Sequence, residues 1–386
     1  MSSIAGKKSA LTWVVHISVL VLVLAWLFPT AGLFVSSFRT ADQISSSGWW
    51  ASLSNSESIV QLRTGGKNEA VQVDDIFIVE GNLLTDNDES RGEASISAFG
   101  VSSRAIGAYA IGETAEFSDG EETLTLNSDG SYRYSSIEEP GRRGQRVFVT
   151  ASTPPEFTMD NYKTILFSGT GQDNMAKAFF NTLTVTIPAT IIPIVVAAFA
   201  AYALAWMEFP GRALLIAVIV GLLVVPLQLA LIPLLRLHLD IGIGKGYLGV
   251  WLAHTAFGLP LAIYLLRNYM VGLPRDIIEN ARVDGATDFQ IFTKIILPLS
   301  FPALASFAIF QFLWTWNDLL VAKVFLIDST GSTTVMTNQI VELLGTRGGN
   351  WEILATAAFV SIAVPLIVFF AMQRYLVRGL LAGSVK

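Results

Sequence analysis

There is no cysteine among the 386 residues. Disulfides, thiolate-bound metals and a cysteine nucleophile are therefore excluded. Histidine is nearly missing too. His16, His238 and His254 are scattered, with no pair at a spacing that lets two rings share a metal. Charge is scarce: 15% of residues are Asp, Glu, Lys or Arg, where soluble domains carry about a quarter. Paired carboxylates and nucleophilic triads are not evident. The segment Gly242-Ile243-Gly244-Lys245-Gly246 lacks the upstream glycine and the Ser/Thr after lysine that a phosphate loop needs. The expectation is a chain without a catalytic residue, metal or cofactor of its own and without a nucleic-acid partner.

What is abundant is apolar sequence, 52% of the chain, with a mean hydropathy of +0.54. It lies in six runs long enough to cross a bilayer, which takes about 20 residues each: 11–36, 177–206, 212–235, 247–269, 300–327 and 354–376. Prolines sit inside several of them (Pro188, Pro193, Pro226, Pro260, Pro365). Membrane helices tolerate proline where neighbouring helices satisfy the freed carbonyls, so these helices are expected to pack as a bundle. A cleavable signal peptide is the rival reading of the first run. Its length and the missing Ala-x-Ala-like site favour a retained helix.

The net charge of −6 hides a division. Residues 40–175 hold 21 of the 31 acidic but only 9 of the 25 basic residues, a net of −12 against +6 elsewhere. Lys7 and Lys8, the group Arg267, Arg275, Arg282 and Lys294, and the group Arg374, Arg378 and Lys386 share one side if both termini are cytoplasmic. Residues 40–175 and loop 328–353 then lie outside. Within 55–152, alternation in Val71-Gln72-Val73, Ile76 to Val79 and Arg146 to Thr150, and a hairpin from Leu124 to Tyr134 turning at Asn127-Ser128-Asp129-Gly130, predict a small antiparallel β domain. Flexible links are expected at 40–54 and 153–172. The stretch Gly81 to Asp88 with the hairpin resembles bacterial cadherin-like repeats, some of which bind calcium. Asp86, Asp88 and Glu89 are hard-oxygen ligands, or else a solvated acidic turn.

Loop 270–298 carries the densest helix signals. Pro274 suits a first helical turn, and Asp276 and Glu279 favour the positive end of a helix. Gly285 is placed to stop that helix. Thr287 and Gln290 form a capping box for a second one, with Phe289, Phe292 and Ile296 at anchoring spacing. Glu279-Asn280-Ala281, then Gly285, then Ile295-Ile296-Leu297-Pro298 resembles the cytoplasmic motif of ABC importer permeases: Glu-Ala-Ala, three residues, Gly, nine residues, Ile-x-Leu-Pro. Asn280 is the one departure. More of the chain resembles the maltose-type, carbohydrate-uptake branch, and within it the α-glucoside permeases: Ser36-Ser37-Phe38-Arg39, Asn181-Thr182-Leu183, Phe209-Pro210-Gly211-Arg212, Leu313 to Asp318, and the tail from Gln373 to Lys386.

That resemblance implies an all-α polytopic fold of six transmembrane helices, the type I permease fold, with the all-β domain inserted outside. The parts are 1–39 (terminus and first helix), 40–175 (insert) and 176–386 (five-helix core). It implies a place in the bacterial inner membrane beside a sister permease, an ABC ATPase dimer that binds the ATP and magnesium, an extracytoplasmic sugar-binding protein, and lipid. Glu279, Asn280, Ala281, Asp284 and Gly285 would meet the ATPase. Gln228, His254, Trp314, Trp316, Asn317 and Asp318 are the polar and aromatic span residues. They fit a sugar pathway or plain interhelical bonding. Arg236 and Asp240 stand four apart and predict a helical ion pair. A membrane-anchored sensor using the β domain would need no loop of the 279–298 kind, and a permease for a non-sugar solute would keep it.

Overall fold

The computed structural model describes residues 10–87, 94–167, 175–327, 330–346 and 349–381. Lys7, Lys8, Asp88, Glu89 and residues 382–386 lie outside that set, and so does the side chain of Arg378. The chain divides into two compact units, Met1–Met159 and Asp160–Lys386.

The first unit opens with α1 (Ala10–Ser36), an unbroken apolar helix that contains Pro29. Its candidate span, Leu11–Ser36, buries none of its side chains within the protein, as suits a helix solvated by lipid. Residues 40–54, expected as a flexible link, instead fold into α2 (Ala41–Ser46) and a 3-10 turn (Trp49–Ala51). The reason is Arg39, only 2% exposed. Its Nη1 donates to the Ser47 carbonyl (3.0 Å), and its Nη2 donates to the Gln43 carbonyl (2.7 Å) and to Ser47 Oγ (2.5 Å).

A β-sandwich follows: β1 (Ser56–Arg63), β2 (Val71–Val73), β3 (Ile76–Asn82), then a short α3 (Leu83–Asn87), β4 (Ser95–Gly100), β5 (Tyr109–Ala110), β6 (Thr114–Phe117), β7 (Glu122–Leu126), β8 (Ser131–Ser136) and β9 (Arg146–Thr153). One sheet runs β1-β9-β4-β5 and the other β2-β3-β8-β7-β6, all antiparallel. Alternate residues of both sheets fill one core, with Leu62, Phe99, Val147 and Val149 from the first sheet and Val79, Leu124, Leu126 and Tyr134 from the second. First and last strands pair along their whole length, from Ser56↔Thr153 to Arg63↔Arg146. Beyond them, Thr158 N donates to the Phe38 carbonyl (2.7 Å). The domain therefore leaves and re-enters the chain at neighbouring points, the geometry that lets a domain be inserted at low cost.

The second unit is helical: α4 (Asp160–Phe167), α5 (Met175–Trp206), α6 (Arg212–Leu222), α7 (Leu227–Asp240), α8 (Tyr247–Val271), α9 (Arg275–Val283), α10 (Asp288–Ile291), a π turn (Phe292–Ile296), α11 (Leu297–Leu299), α12 (Phe301–Trp316), α13 (Leu320–Phe325), α14 (Met336–Thr346) and α15 (Trp351–Leu381). Alanines at 197, 198, 201, 205 and 262 let α5 and α8 approach closely. The apolar run 212–235 is not one straight helix. α6 and α7 meet at 111°, broken ahead of Pro226. The run 300–327 is interrupted between α12 and α13, and the segment before it bends by 69° at Ser300. Among the described residues four helices are long and apolar enough to cross a membrane, and up to six if each bent pair is one span. Loop 328–353 also holds more structure than its Gly/Thr content suggests, since α14 lies within it and buries Met336 and Leu343.

Three of the helix prolines repeat one device. Proline lacks an N–H and frees the carbonyl four residues earlier. The Thr184 carbonyl, freed by Pro188, accepts from Trp251 Nε1 (2.9 Å). The Ala189 carbonyl, freed by Pro193, accepts from Gln311 Nε2 (3.1 Å). The Ser361 carbonyl, freed by Pro365, accepts from Trp316 Nε1 (2.9 Å). Each donor comes from a neighbouring helix, so each proline becomes an interhelical tie.

Candidate functional site

α9 starts just after Pro274, which holds the extended N-cap position, carries Asp276 in its first turn, and ends against Gly285 at φ +83°. A side chain there would meet no atom within 4 Å, so glycine is required by the left-handed backbone rather than by space. The predicted capping box is present. Gln290 N donates to Thr287 Oγ1 (3.3 Å), and Thr287 N donates to Gln290 Oε1 (2.9 Å). Arg282 Nη2 reaches Asp288 Oδ1 across the turn (3.2 Å), and Tyr202 of α5 donates to the same oxygen (3.3 Å).

Burial divides the loop into a seat and a face. Ile278, Ala281, Ile291, Phe292 and Ile296 join the core formed by α5, α8 and α12. Glu279, Asn280, Val283, Asp284 and Gly285 are exposed, Val283 at 87%. Ala281, which the resemblance groups with these residues, is 9% exposed and packs inward. The helical turn that presents Asn280 and Val283 points Ala281 back to the bundle. Phe289 is likewise no anchor. It is 65% exposed, and with Phe199, Tyr202, Met207, Asp288 and Phe292 it lines a groove of about 260 Å³. Sequence spacing gives the shared face of a helix, not what covers it.

This seat is rigidly joined to the bundle. Arg212 closes the end of α5, donating from Nε to the Leu204 carbonyl (2.9 Å), from Nη1 to Met207 (3.1 Å) and from Nη2 to Ala205 (3.1 Å). The π turn at Phe292–Ile296 carries the loop into α11 and the bend at Ser300. α9 is thus continuous, through the second helix and the π turn, with the base of α12.

The candidate pathway residues sit in different environments. Gln228, Asn317 and Trp314 are exposed, Trp314 at 41%, and Asn317 donates to its own helix at the Leu313 carbonyl (2.9 Å). Trp316 is buried and spent on Ser361. Asp318 caps α13, accepting from Val321 N (3.3 Å) and Ala322 N (3.0 Å), and its Oδ2 lies 3.7 Å from His254 Nε2. Arg236 and Asp240 make no ion pair among the described residues. Two residues carry more of the architecture than their sequence suggested. Gln311, 1% exposed, ties α12 to α5. Asn181 pins the 330–334 segment, donating from Nδ2 to the Ser332 (3.0 Å) and Thr334 (2.9 Å) carbonyls and accepting from the Tyr247 hydroxyl (2.9 Å). Counting four residues back from Pro193 would have flagged the carbonyl that Gln311 serves. The glycine-lysine segment 242–246 is a turn, with Ile243 N and Gly244 N donating to the His238 carbonyl. Among the described residues no group of three His, Cys, Asp or Glu side chains is placed to hold a metal ion. Of the three residues in the calcium reading, Asp88 and Glu89 lie outside the described residues, and Asp86 accepts from Asn82 N (2.7 Å).

Comparison with known proteins places this geometry. Over its whole length (99% of each chain) the protein is 61% identical to the alpha-glucoside transport system permease protein AglG of Rhizobium meliloti (strain 1021). It is 58% identical, over 60% of this chain and 76% of the relative, to the osmoprotective compounds uptake permease protein GgtD of Synechocystis. Among solved structures, a bacterial ABC transporter that imports the acidic polysaccharide alginate aligns at 23% identity and a TM-score of 0.48, over 58% of this chain and 81% of that one. Residues 173–381 match the family described as binding-protein-dependent transport system inner membrane component. That match holds α9, the glycine turn and the bundle that seats them, and the chain belongs to this family, the membrane-embedded permease subunits of ABC importers, whose ATPase is a separate polypeptide.

Proposed function

We propose that this chain forms half of the translocation pore of an ATP-driven importer for an oligosaccharide of the α-glucoside class, and that α9 with its glycine turn is the lever on which the ATPase acts. One observation carries the reading: a short helix seated by Ile278 and Ala281 on the bundle core presents Glu279, Asn280, Val283 and Asp284 to the outside of the subunit. The exposed Val283 and Phe289 give a partner apolar surface to bury. ATP and magnesium belong to that partner, and a sister permease completes the pore. The substrate class rests on the full-length likeness to an α-glucoside permease. Because a 58% identical relative takes osmoprotective compounds, compatible solutes belong in the same test.

In this reading the chain crosses the inner membrane six times, with each bent helix pair counted as one span. Both termini and loop 270–298 are cytoplasmic. Residues 40–175 are outside, where a sugar-binding protein docks. Gln228, Trp314, Asn317 and Asp318 remain candidates for the pathway, Asp318 as a cap that also fixes α13. Two experiments test the proposal. A strain lacking this chain should lose uptake of α-glucosides from a panel of labelled glucosides and compatible solutes, and regain it on complementation. Unchanged α-glucoside uptake would overturn the substrate. A reporter fused near Ala286 should read cytoplasmic and one near Gly130 external. Reversal of either would overturn the topology.

A further inference from the structure

We infer that the 3-10 turn at Trp49–Ala51, with Leu53, is a membrane-interface foot that docks the entry of the β-sandwich onto the lipid headgroup boundary. The inference rests on reading α1 as a membrane span.

The chain leaves α1 at Ser36, is turned back by the Arg39 knot, and returns along the helix it has just left. The Trp49 ring sits 4.6 Å from the Phe28 ring, and the Trp50 ring stacks 6.4 Å from it. Two glycines make room. A Cβ on Gly32 would come within 2.7 Å of the Trp49 ring, and one on Gly48 would come closer still to Trp50. The return is therefore packed into place.

Depth follows from helix geometry. The 26 residues of the span rise about 39 Å, against about 30 Å of hydrocarbon. With the span centred, Phe28 lies about 7 Å and Gly32 about 13 Å from the midplane. Packed against residues about 7 and 13 Å from the midplane, the tryptophan pair thus lies just inside the hydrocarbon boundary at about 15 Å, beside the interfacial level that amphipathic indole rings favour. What the turn shows outward is apolar: Trp50 is 72% exposed and Leu53 81%, continuous with the exposed apolar surface of α1. No charged residue lies between Asp42 and Glu57 to resist that burial. Since β1 begins three residues after Leu53, the foot fixes where the sandwich leaves the bilayer.

The cysteine-free chain makes the test direct. Single cysteines at Val21 (mid-α1), Trp50, Leu53 and Gln72 (exposed on β2) are spin-labelled in the full-length protein in phosphatidylethanolamine and phosphatidylglycerol vesicles. Accessibility to oxygen and to an aqueous nickel chelate is then measured. Trp50→Cys and Leu53→Cys should give an oxygen-to-nickel ratio several-fold above Gln72→Cys and below Val21→Cys. Leu53, with its side chain almost wholly exposed, remains informative if Trp50→Cys folds poorly. Water-like labels at 50 and 53 beside a lipid-exposed 21 would overturn the foot alone. A water-like label at 21 would overturn both α1 as a span and the foot. Shielding of 50 and 53 from both reagents would mean that a protein surface, not lipid, covers the turn.

Discussion

Consider replacement of Gly285. The turn sits at φ +83° with open space around it, so a substitution meets backbone strain and no clash. For an alanine in the left-handed region that strain is about 1–2 kcal/mol. Asparagine adopts this region more readily, and its strain should be distinctly smaller. If α9 must be held in this orientation to receive work, Gly285→Ala should reduce the working population between about 5- and 30-fold, while Gly285→Asn stays near wild type. Gly285→Asp has similar backbone tolerance but puts a third carboxylate beside Asp284 and near Asp288 on the exposed face, and uptake should be lost with the protein still inserted. The assay is uptake and binding-protein-stimulated ATP hydrolysis in vesicles, normalised to inserted protein. Equal activity of the alanine and asparagine variants would refute the backbone reasoning. Normal transport by Gly285→Asp would refute the docking face.

Three more outcomes are expected. Thr287→Ala removes half the capping box and should cost about 1 kcal/mol locally, read as faster amide exchange at Gln290 and Ile291. Gln311→Leu strands the Ala189 carbonyl and should cost about 1 kcal/mol by thermal unfolding in detergent. Adding Pro193→Ala returns an N–H to that carbonyl, so the double variant should be more stable than the two single effects combined, whereas additivity would argue against the tie. In the β-sandwich, burial and then the hydrogen bond donated to Glu122 push the Tyr134 hydroxyl up to about 12 from its ordinary 10. The folded state holds this proton more tightly than the unfolded chain. The associated stability is whole below pH 10 and disappears as pH rises through about 12. Tyr134→Phe should therefore lose less stability across that window, measured by the β signal in circular dichroism.

The loop was legible because caps and turns are written within four or five residues. Pro274, Gly285 and the Thr287–Gln290 pair act on the backbone beside them, and the strands of the sandwich announce themselves by alternation. What escaped was decided by tertiary context. Phe289 and Phe292 share a helical spacing, yet Phe289 is exposed at the rim of a groove while Phe292, packed on the Phe199 and Tyr202 rings of α5, is 3% exposed. The bends after Leu222 and at Ser300 interrupt sequence that is apolar throughout, so hydropathy passes over them. The fold of 40–54 depends on one buried arginine reaching carbonyls four and eight residues away. The proline ties needed both the position of each proline and knowledge of the helix beside it.

The exposed face of α9 is proposed to meet a separate ATPase. In membranes carrying the assembled importer, single cysteines at Asn280 and Val283 of this cysteine-free chain should cross-link to the ATPase polypeptide, with a yield that changes on adding ATP. Cysteines at buried Ala281 and on the β-sandwich at Gln72 should not. Absence of any ATPase adduct from 280 and 283, or equal adducts from 72, would contradict it.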